Sequence, residues 1–500
     1  MLSQMTTLGL LNVITHLEEN GYPSRHVYLC KRRGRQQQSH QELTAILDFI
    51  EQQRPDLIGL TLMTLDFFRT RELTVEIKKR FPGTPVLWGG IHPTCEPEES
   101  IKYADYLCLG EGEDTVLEMV RVLEEGGVAA DIPNVWMKKD GRVTTNDVRP
   151  LIQDLDMYPF PRINWSDTYC MDKGAIKLLT HRLYRKHMHY NGTMYDVIIS
   201  RGCPFSCSYC CNSLFRKLYK NKGKYVRYRS VDSAIAEMKY IVKTFPYTRI
   251  INIQDDSFAA APERYLEEFS EKYRSEVGLP LRLRALATQL DEARIRYLAR
   301  ANAMSVVVGI QANDRINREV FNRKVSSQQI LDVARLIKKY NIIGEFQLIG
   351  SNPYATENDM LEIAGLLAEI PKPYRLQIFN LGMFPNTALR DKAIRDGIKV
   401  NEMDGYMYSY GDYPEKFPLL RGIHEIAPQT PGFLIRFFLR NRNSSWCRLL
   451  LGVYRVLLVD NLVRLKSIII RSSFLVLAAR KVLFLWTGLT KACRKAWAAR

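Results

Sequence analysis

Features typical of several protein classes are scarce or absent in this sequence. Ten cysteines in 500 residues are too few and too unevenly spaced for a disulfide framework. The chain opens Met1-Leu-Ser-Gln-Met, with neither a basic start nor a long apolar run, so we expect no secretory signal. From Leu449 to Leu485 no apolar run reaches the roughly 18 to 20 residues that a membrane-spanning helix needs. These absences predict a protein of the reducing cytoplasm, where clustered cysteines bind metal more often than they form disulfides.

The net charge of +17 is concentrated at one end of the chain. The segment from Phe433 to Arg500 contains 14 Lys and Arg and a single acid, Asp460, and so carries +13 of that charge. With 46% apolar and 25% charged residues, the remainder is typical of a globular protein, and 500 residues suggest two or three domains. The basic character therefore belongs to the tail, and nucleic-acid binding by the main body is not expected.

Residues 1 to 130 alternate helical and strand patterns, which predicts a doubly wound parallel sheet with helices on both faces. A helix over Leu8 to Asn20 is followed by three strand patterns, at Leu57 to Leu62, Pro85 to Trp88 and Tyr106 to Leu109. Gly89-Gly90 and Gly110-Glu-Gly112 follow strand ends, where ligands of such sheets bind. Tight turns alone also explain these glycines.

Residues 131 to 190 are mixed in character and contain Pro150, Pro159 and Pro161, which predicts a linker over the surface. From 191 to 425 six candidate strands alternate with helices and predict a partial (β/α)6 barrel, whose chemistry gathers at the C-terminal strand ends. The candidate strands start at Val197, Ile250, Arg282, Val306, Phe346 and Leu376. Residues 426 to 500 are expected to form a basic, amphipathic helical tail.

Four cysteines cluster in Ser200-Arg-Gly-Cys203-Pro-Phe-Ser-Cys207-Ser-Tyr-Cys210-Cys211, directly after the first candidate barrel strand. Thiolates select iron–sulfur clusters or zinc. A structural zinc site normally has four ligands, whereas three thiolates leave one iron of a four-iron cluster open to a small molecule. Cys211 is a poor fourth ligand because adjacent cysteines rarely bind one ion together. We therefore expect Cys203, Cys207 and Cys210 to hold a [4Fe–4S] cluster, with zinc or incidental buried cysteines as the alternatives.

The CxxxCxxC spacing after a first barrel strand, flanked by Arg201-Gly202, Pro204-Phe205 and Tyr209, resembles the radical S-adenosylmethionine superfamily. The resemblance implies that the open iron binds the amino and carboxylate groups of S-adenosylmethionine, near Tyr209. It also implies cleavage of that cofactor to methionine and a 5′-deoxyadenosyl radical, which abstracts hydrogen from a substrate. An external electron donor such as flavodoxin or ferredoxin would then be a partner.

Residues at later strand ends extend the resemblance. Asp255 and Asp256 end the second barrel strand, where the family places polar groups that contact the methionyl amine. Capping of the helix that follows Pro262 is the other interpretation of this pair. Gln311 ends the fourth strand, where the resemblance implies a ribose contact, although Ala312-Asn-Asp replaces the family's Ser-Gly-Ser.

The N-terminal region, through Gly89-Gly-Ile-His-Pro93 and Gly110-Glu-Gly-Glu-Asp114, resembles the cobalamin-binding domain that precedes many such barrels. The resemblance implies that loops around Thr61 and around Gly89-Gly90 cradle the nucleotide tail of cobalamin. That domain begins with a central strand, which we expect to be absent because the sequence starts almost at the first helix. The sequence has no Asp-x-His-x-x-Gly motif for a cobalt-ligating histidine, and His92 is expected to lie in a turn or line a pocket.

The tail places Arg464, Lys466 and Arg471 among apolar residues, and Trp446 and Trp486 lie near its apolar runs. This pattern favours helices that lie in a membrane interface, so peripheral membrane contact is expected. Helices packed on the barrel with a solvated basic face are the alternative, and nucleic-acid binding is the least favoured one.

The sequence thus predicts a radical enzyme that modifies an unactivated carbon of a small or lipophilic molecule. In the resembling family, bound cobalamin commonly implies C-methylation, while cyclisation and rearrangement also occur. The alternatives are a non-catalytic iron–sulfur carrier or scaffold and a zinc protein that binds nucleic acid. The substrate itself and the oligomeric state carry no sequence signal.

Overall fold

The computed structural model of the protein describes residues 2–3, 8–29, 39–400 and 415–454. Contacts divide the chain into two compact units, Met1–Asp359 with Ile370–Lys416 and Met360–Glu369 with Phe417–Arg500. The first unit contains a nine-stranded sheet, a six-stranded sheet and a two-stranded ribbon. The second unit is helical where it is described.

The nine-stranded sheet has the order β7-β6-β5-β4-β3-β1-β2-β8-β9, and its central strands run parallel. Its strands are β1 Leu2–Ser3, β2 His26–Tyr28, β3 Ile58–Thr61, β4 Val86–Gly89, β5 Tyr106–Cys108, β6 Val135–Lys139, β7 Arg142–Thr145, β8 Thr168–Asp172 and β9 Ala175–Leu178. The helices between them are α1 Leu8–Glu19, α2 His40–Gln53, α3 Phe67–Arg80, α4 Ile91–Cys95, α5 Pro97–Ser100 and α6 Glu113–Glu124. The predicted doubly wound sheet is therefore confirmed.

Two expectations for this region need correction. The central strand is present as β1, whose two residues pair in parallel with β2 on one side and β3 on the other. Residues 131 to 190 also differ from the predicted surface linker, since β6 and β7 add a hairpin to one edge of the sheet and β8 and β9 add to the other. These strands hold only four or five residues each, and β7 and β9 are exposed along most of their length, so no apolar pattern of strand length marks them in the sequence.

The six-stranded sheet is the predicted partial barrel, with every neighbouring pair parallel and in sequential order. Its strands are β10 Met194–Val197, β13 Ile250–Ile253, β14 Leu281–Ala285, β15 Ala303–Gln311, β16 Ile343–Gly350 and β17 Tyr374–Asn380. The ribbon pairs β11 Ser200–Arg201 with β12 Arg227–Tyr228 in antiparallel fashion. The helices are α7 His181–His187, α8 Cys211–Leu218, α9 Val231–Thr244, α10 Glu263–Glu276, α11 Glu292–Arg300, α12 Asp314–Glu319, α13 Ser327–Lys339, α14 Glu357–Glu369 and α15 Ala388–Arg395.

Side-chain caps set where several barrel helices begin. Ser230 accepts a hydrogen bond from the Ser233 N–H at the start of α9, and Asp291 accepts one from the Arg294 N–H at the start of α11. Ser326 forms a reciprocal capping box at the start of α13. Such caps satisfy N–H groups that have no partner inside the helix, so they fix the boundary between loop and helix.

The second unit contains α16 Pro418–Ile426, α17 Gly432–Arg440 and α18 Ser445–Tyr454. The Nε2 atom of His424 lies 2.9 Å from the Met360 carbonyl oxygen inside this unit. No helix within the described ranges is both long and apolar enough to cross a membrane. The tail prediction for residues 455 to 500 lies outside the described residues.

Candidate functional site

The cysteine loop follows β10 and is held by contacts on both of its sides. The Oγ of Ser208 donates to the Val320 carbonyl at 2.6 Å, and the Ser208 N–H donates to the Phe321 carbonyl. Arg216 of α8 donates to the Cys203 and Pro204 carbonyls at 3.2 and 2.8 Å. The loop is therefore anchored before any metal binds, which lowers the cost of arranging three thiolates around a cluster.

The three predicted ligands lie together on this loop and differ in environment. Cys203 is buried, and burial raises the pKa of its thiol to about 12. Burial also raises the pKa of Cys207, whereas a hydrogen bond from Cys211 is the main cause of a lowered pKa at Cys210. Buried thiols stay protonated unless a cation compensates the thiolate, and iron supplies that compensation. The donor set thus fits an iron–sulfur cluster.

No three His, Cys, Asp or Glu side chains converge as ligands of one metal ion anywhere in the described part of the chain. A four-iron cluster is a wider body than a single ion, so its thiolates stand further apart. Cys203, Cys207 and Cys210 nevertheless act on one another electrostatically, as thiols that lie near one another do.

Tyr209, which the sequence placed near S-adenosylmethionine, lies beside the predicted cluster. Its ring packs edge-on against Phe321 with centroids 5.0 Å apart, and its hydroxyl group hydrogen-bonds the Cys207 thiol. Burial raises its pKa, so the phenol stays neutral and can donate to a thiolate.

Asp255 and Asp256 perform different tasks although they are adjacent. Asp255 is buried and accepts hydrogen bonds from the Ile199 N–H at 2.8 Å and the Ser200 hydroxyl at 2.6 Å. Burial raises its pKa to about 7, despite these two donors. Asp255 therefore anchors the chain that leads into the cysteine loop.

Asp256 is exposed and faces the cysteine loop. Its Oδ2 accepts a hydrogen bond from the Asn212 side-chain amide at 3.0 Å, and Tyr225 donates to Asn212 Oδ1 at 2.7 Å. The same amide lies 3.7 Å from the Cys210 sulfur. Asp256 is thus the member of the pair that is available to a ligand amine.

Gln311 ends β15 in the left-handed region, with φ of 67°. A register irregularity between Gly309 and Gln311 turns its side chain back over Gly309, where an added Cβ would lie 2.5 Å from Gln311 Nε2. A side chain at position 309 would therefore require the Gln311 side chain to move.

Arg323 is a further candidate that the sequence did not reveal. Its guanidinium is buried and donates to the Ile310 and Gly309 carbonyls at 3.0 and 2.7 Å. The same group acts electrostatically on Cys207 and Tyr209. A lone arginine in a polar loop carries no pattern, so only the fold brings this positive charge to the cysteine loop.

The strand-end loops of the N-terminal sheet pack tightly at Thr61, Gly89 and Gly90. Gly90 has φ of 99°, and an added Cβ would come within 2.8 Å of Thr61 Oγ1. Beside these residues, the apolar side chains of Met63 and Ile91 are exposed at the carboxyl edge of the parallel strands. An open apolar edge with close backbone packing fits a large planar ring such as that of cobalamin.

His92, expected in a turn or pocket wall, is fully buried in α4. Its Nδ1 lies 3.3 Å from Thr64 Oγ1, and burial lowers its pKa to about 4. The histidine is therefore neutral and belongs to the domain interior.

The Gly110 to Gly112 loop, for which the sequence allows a ligand loop or a tight turn, contacts the barrel region through Glu111. Glu111 pairs with Arg227 and lies 3.1 Å from Arg201 Nη1, and Arg201 Nη2 lies 2.5 Å from Glu113. Burial raises the pKa of Glu111, but Arg201 and Arg227 outweigh it and leave the pKa below its ordinary value. A four-residue charge network thus joins the N-terminal sheet to the ribbon that leads into the cysteine loop.

The barrel interior is polar. Arg282 donates to both carboxylate oxygens of Glu345, at 3.2 and 3.0 Å, and to Asn252 Oδ1 at 3.0 Å. Arg284 lies two residues further along β14 and so projects on the same side. Among the described residues, Arg284 forms no hydrogen bond or ion pair. Its pKa is lowered mainly by burial and secondly by the positive charge of the neighbouring Arg282.

Two family models match the chain. Residues 2–120 match the B12 binding domain, and residues 197–367 match the Radical SAM superfamily. The first range contains β1 to β5 of the nine-stranded sheet, and the second contains β13 to β16 of the six-stranded sheet and all three cysteines.

Individual relatives agree with these matches. An uncharacterized methyltransferase of Pyrococcus horikoshii is 27% identical over 405 residues, which is 79% of this chain and 81% of that protein. The anaerobic magnesium-protoporphyrin IX monomethyl ester cyclase of Rubrivivax gelatinosus is 24% identical, over 71% of this chain and 61% of the cyclase. The structure of the radical S-adenosylmethionine methyltransferase TsrM from Kitasatospora setae, with cobalamin and a [4Fe–4S] cluster bound, superposes with a TM-score of 0.63 at 18% identity. That match covers 80% of this chain and 79% of TsrM.

Proposed function

The chain belongs to the radical S-adenosylmethionine superfamily and carries a B12-binding domain, and we propose that it methylates an unactivated carbon of a small molecule. One observation carries the proposal. The three-cysteine loop and the strand-end loops of the B12-binding domain belong to one compact unit, joined by the network of Glu111, Glu113, Arg201 and Arg227. Hydrogen abstraction and methyl delivery must act on the same carbon, so both domains have to face one substrate.

The residues of this chain would hold the cofactors as follows. Cys203, Cys207 and Cys210 would ligate the [4Fe–4S] cluster, with Asp256 toward the amine and Arg323 toward the carboxylate of S-adenosylmethionine. When bound, the cluster and S-adenosylmethionine supply hydrogen-atom abstraction, and cobalamin supplies a methyl group.

Gln311 would contact the ribose of S-adenosylmethionine, because it ends β15 near Arg323 with its side chain folded over Gly309. Thr61, Gly89 and Gly90, with the exposed Met63 and Ile91, would form the floor under cobalamin. Because Gly90 has no side chain, its loop approaches Thr61 closely, and Met63 and Ile91 remain exposed beside the two loops.

The barrel interior supports an anionic group on the substrate. Arg284 is partly buried, and its guanidinium is offset only at a distance by Asp196, Asp256 and Glu345. If Asp256 paired with the amine of S-adenosylmethionine, its negative charge would compensate that amine and no longer Arg284. A substrate carboxylate would then complete the coordination of Arg284, while the exposed side chains of Ile198 and Phe379 offer apolar contacts.

Further features of the proposal concern partners and location. An external one-electron donor such as flavodoxin or ferredoxin would reduce the cluster, and the protein would act in the cytoplasm with its C-terminal helices against a membrane surface. The exposed apolar and basic side chains of α17 and α18 support the membrane contact.

The proposal is tested with anaerobically purified, reconstituted protein and a strong reductant. We expect bound corrin, iron and sulfide, and formation of 5′-deoxyadenosine from S-adenosylmethionine. With S-adenosylmethionine deuterated in its methyl group, extracts that contain the substrate should yield a product heavier by that methyl group. A product that loses hydrogen without gaining the label would indicate cyclisation and would contradict methylation.

Cys207→Ala should abolish the cluster and 5′-deoxyadenosine formation, because a cluster held by two thiolates loses a protein ligand. Cys211→Ala is the matched control, since Cys211 is the neighbouring cysteine outside the ligand set. Iron content and the visible absorption spectrum measure the effect. Normal cleavage by Cys207→Ala would refute the cluster assignment, and a full cluster without cleavage in the parent protein would indicate an electron carrier.

A further inference from the structure

The helices α17 and α18 each bury one apolar face within the second unit. Ile435 and Phe438 of α17 are buried, as are Cys447 and Leu451 of α18. Spacings of three and four residues place each pair on one face of its helix. The buried residues of the two helices therefore lie on one face of each helix, and the opposite faces are not part of this packing.

The opposite face of α18 is also apolar. Trp446, Leu449, Leu450 and Val453 follow the spacing i, i+3, i+4, i+7, and all four side chains are exposed, Leu449 by 71% and Trp446 by 51%. The exposed Phe437 of α17 extends this row, with its ring 5.9 Å from that of Trp446. A helix that is apolar on two opposite faces is expected where the second face is also covered.

This row is concentrated rather than scattered. Of the nineteen large apolar side chains that are exposed in the described chain, five lie between residues 437 and 453. Single exposed apolar residues are ordinary in soluble proteins, but a contiguous row marks an interaction surface.

The charges around the row have one sign. Arg436, Arg440 and Arg448 are exposed beside it, and the sequence has no acid from residue 426 to residue 459. Within the described residues, Arg436 and Arg440 form no ion pair. The acid that precedes this segment, Glu425, is engaged by Arg421 of its own helix at 3.1 Å. As far as the structure describes this surface, it has apolar side chains and guanidinium groups, and no carboxylate forms an ion pair with Arg436, Arg440 or Arg448.

We propose that the apolar row of Phe437, Trp446, Leu449, Leu450 and Val453, with Arg436, Arg440 and Arg448, binds the surface of an anionic lipid bilayer. A bilayer interface accepts apolar and aromatic side chains at the acyl boundary and guanidinium groups at the headgroups. The row follows one side of the described part of α18, and this arrangement suits a helix that lies along the bilayer surface. A second copy of this chain fits less well, because like charges would meet across the interface.

Sedimentation of the full-length protein with vesicles tests this surface. The probes are vesicles of phosphatidylcholine alone and of phosphatidylcholine mixed with phosphatidylglycerol. We expect at least about tenfold tighter binding to the anionic vesicles, reduced by added salt. Equal binding to both vesicles, or binding to neither, would overturn the proposal.

Variants assign the binding to this surface. Leu449→Ser with Val453→Ser should weaken binding to both vesicle types, and Arg436→Gln with Arg440→Gln should remove the anionic preference. The matched control is Met157→Ser with Ile394→Ser, two exposed apolar residues outside the row, which should bind as the parent does. Circular dichroism and 5′-deoxyadenosine formation verify that each variant is folded.

Two results would contradict the proposal. If the surface variants bind as tightly as the parent, the basic residues 455 to 500, which every variant retains, account for the binding instead. If light scattering shows a dimer that Leu449→Ser with Val453→Ser dissociates, and vesicles bind neither protein, the row is an interface between copies.

Discussion

At the scale of residues, neighbours in the sequence have separate tasks because the fold turns them in different directions. Asp255 points into the protein and fixes Ile199 and Ser200, whereas Asp256 points toward the cysteine loop and Asn212. The sequence offered both as cofactor ligands or as helix caps. Anchoring by Asp255 is neither of these roles, and it requires strand β10 to lie beside β13.

The raised pKa of Asp255 predicts a pH-dependent stability. Because its folded pKa of about 7 exceeds the unfolded value of about 3.9, its contribution to stability is present below about pH 4 and is lost as the pH rises through 7. The Asp255→Asn variant lacks the hydrogen bonds of the carboxyl group at every pH, and its stability no longer depends on the ionisation of residue 255. The deficit in melting temperature of the variant should therefore shrink between pH 6 and pH 8.

Asp256→Asn is the control, because an exposed carboxylate contributes little to stability. Its melting curve should follow that of the parent at each pH. A deficit of Asp255→Asn that stays constant with pH would contradict the assigned role of the buried carboxyl group.

At the scale of elements, glycines with positive φ decide how closely loops approach. Gly202 precedes the first cluster cysteine with φ of 87°, and an added Cβ would lie 2.3 Å from the Tyr225 carbonyl oxygen. Tyr225 in turn holds Asn212 through its hydroxyl group. The chain before β12 can therefore pass close to the start of the cysteine loop only because residue 202 is a glycine.

Gly202→Ala should displace the cysteine loop and reduce iron and sulfide content after reconstitution to a small fraction of the parent value. Gly141→Ala is the matched control. It has φ of 75° in the β6–β7 hairpin but open space around its added Cβ, so it carries only the left-handed strain of about 1 to 2 kcal/mol. Iron content of Gly202→Ala as high as that of Gly141→Ala would contradict the role of the close contact between Gly202 and Tyr225.

At the scale of the whole molecule, the charge network at Glu111 ties the B12-binding domain to the barrel. Arg227 and Glu113 are buried, so each depends on its partner for compensation. The pair Lys222–Asp147 joins the same two regions at the surface, with Asp147 largely exposed. The two contacts therefore connect the same domains with different degrees of burial.

Glu111→Gln should destabilise the protein by about 3 to 5 kcal/mol, because it leaves the buried Arg227 without its carboxylate partner and Arg201 with Glu113 alone. Lys222→Gln should cost less than about 1 kcal/mol. Chemical denaturation measures both, and limited proteolysis should show earlier cleavage between the domains in Glu111→Gln. Equal effects of the two substitutions would contradict a buried coupling role for Glu111.

The sequence by itself determined the two-sheet architecture and the assignment to the radical S-adenosylmethionine superfamily, and it supplied the proposal for the cluster ligands. Strand and helix periodicity is local, and the CxxxCxxC spacing lies on one loop, so both are readable without tertiary contacts. The six barrel strands were predicted within a few residues. Strand β10 ends at Val197, where it was predicted to begin, because the chain leaves the sheet there: Ile199 and Ser200 donate to Asp255, and Ser200 pairs with Tyr228 in the ribbon.

Only the tertiary structure decided the remaining features. The two-residue β1 and the edge strands β6 to β9 form because neighbouring strands supply their hydrogen bonds, not because of any local pattern. Likewise, Arg323 reaches the cysteine loop and Glu111 reaches Arg201 across long stretches of chain. Charge compensation between distant residues depends on which elements the fold places side by side, and a single sequence does not record that placement.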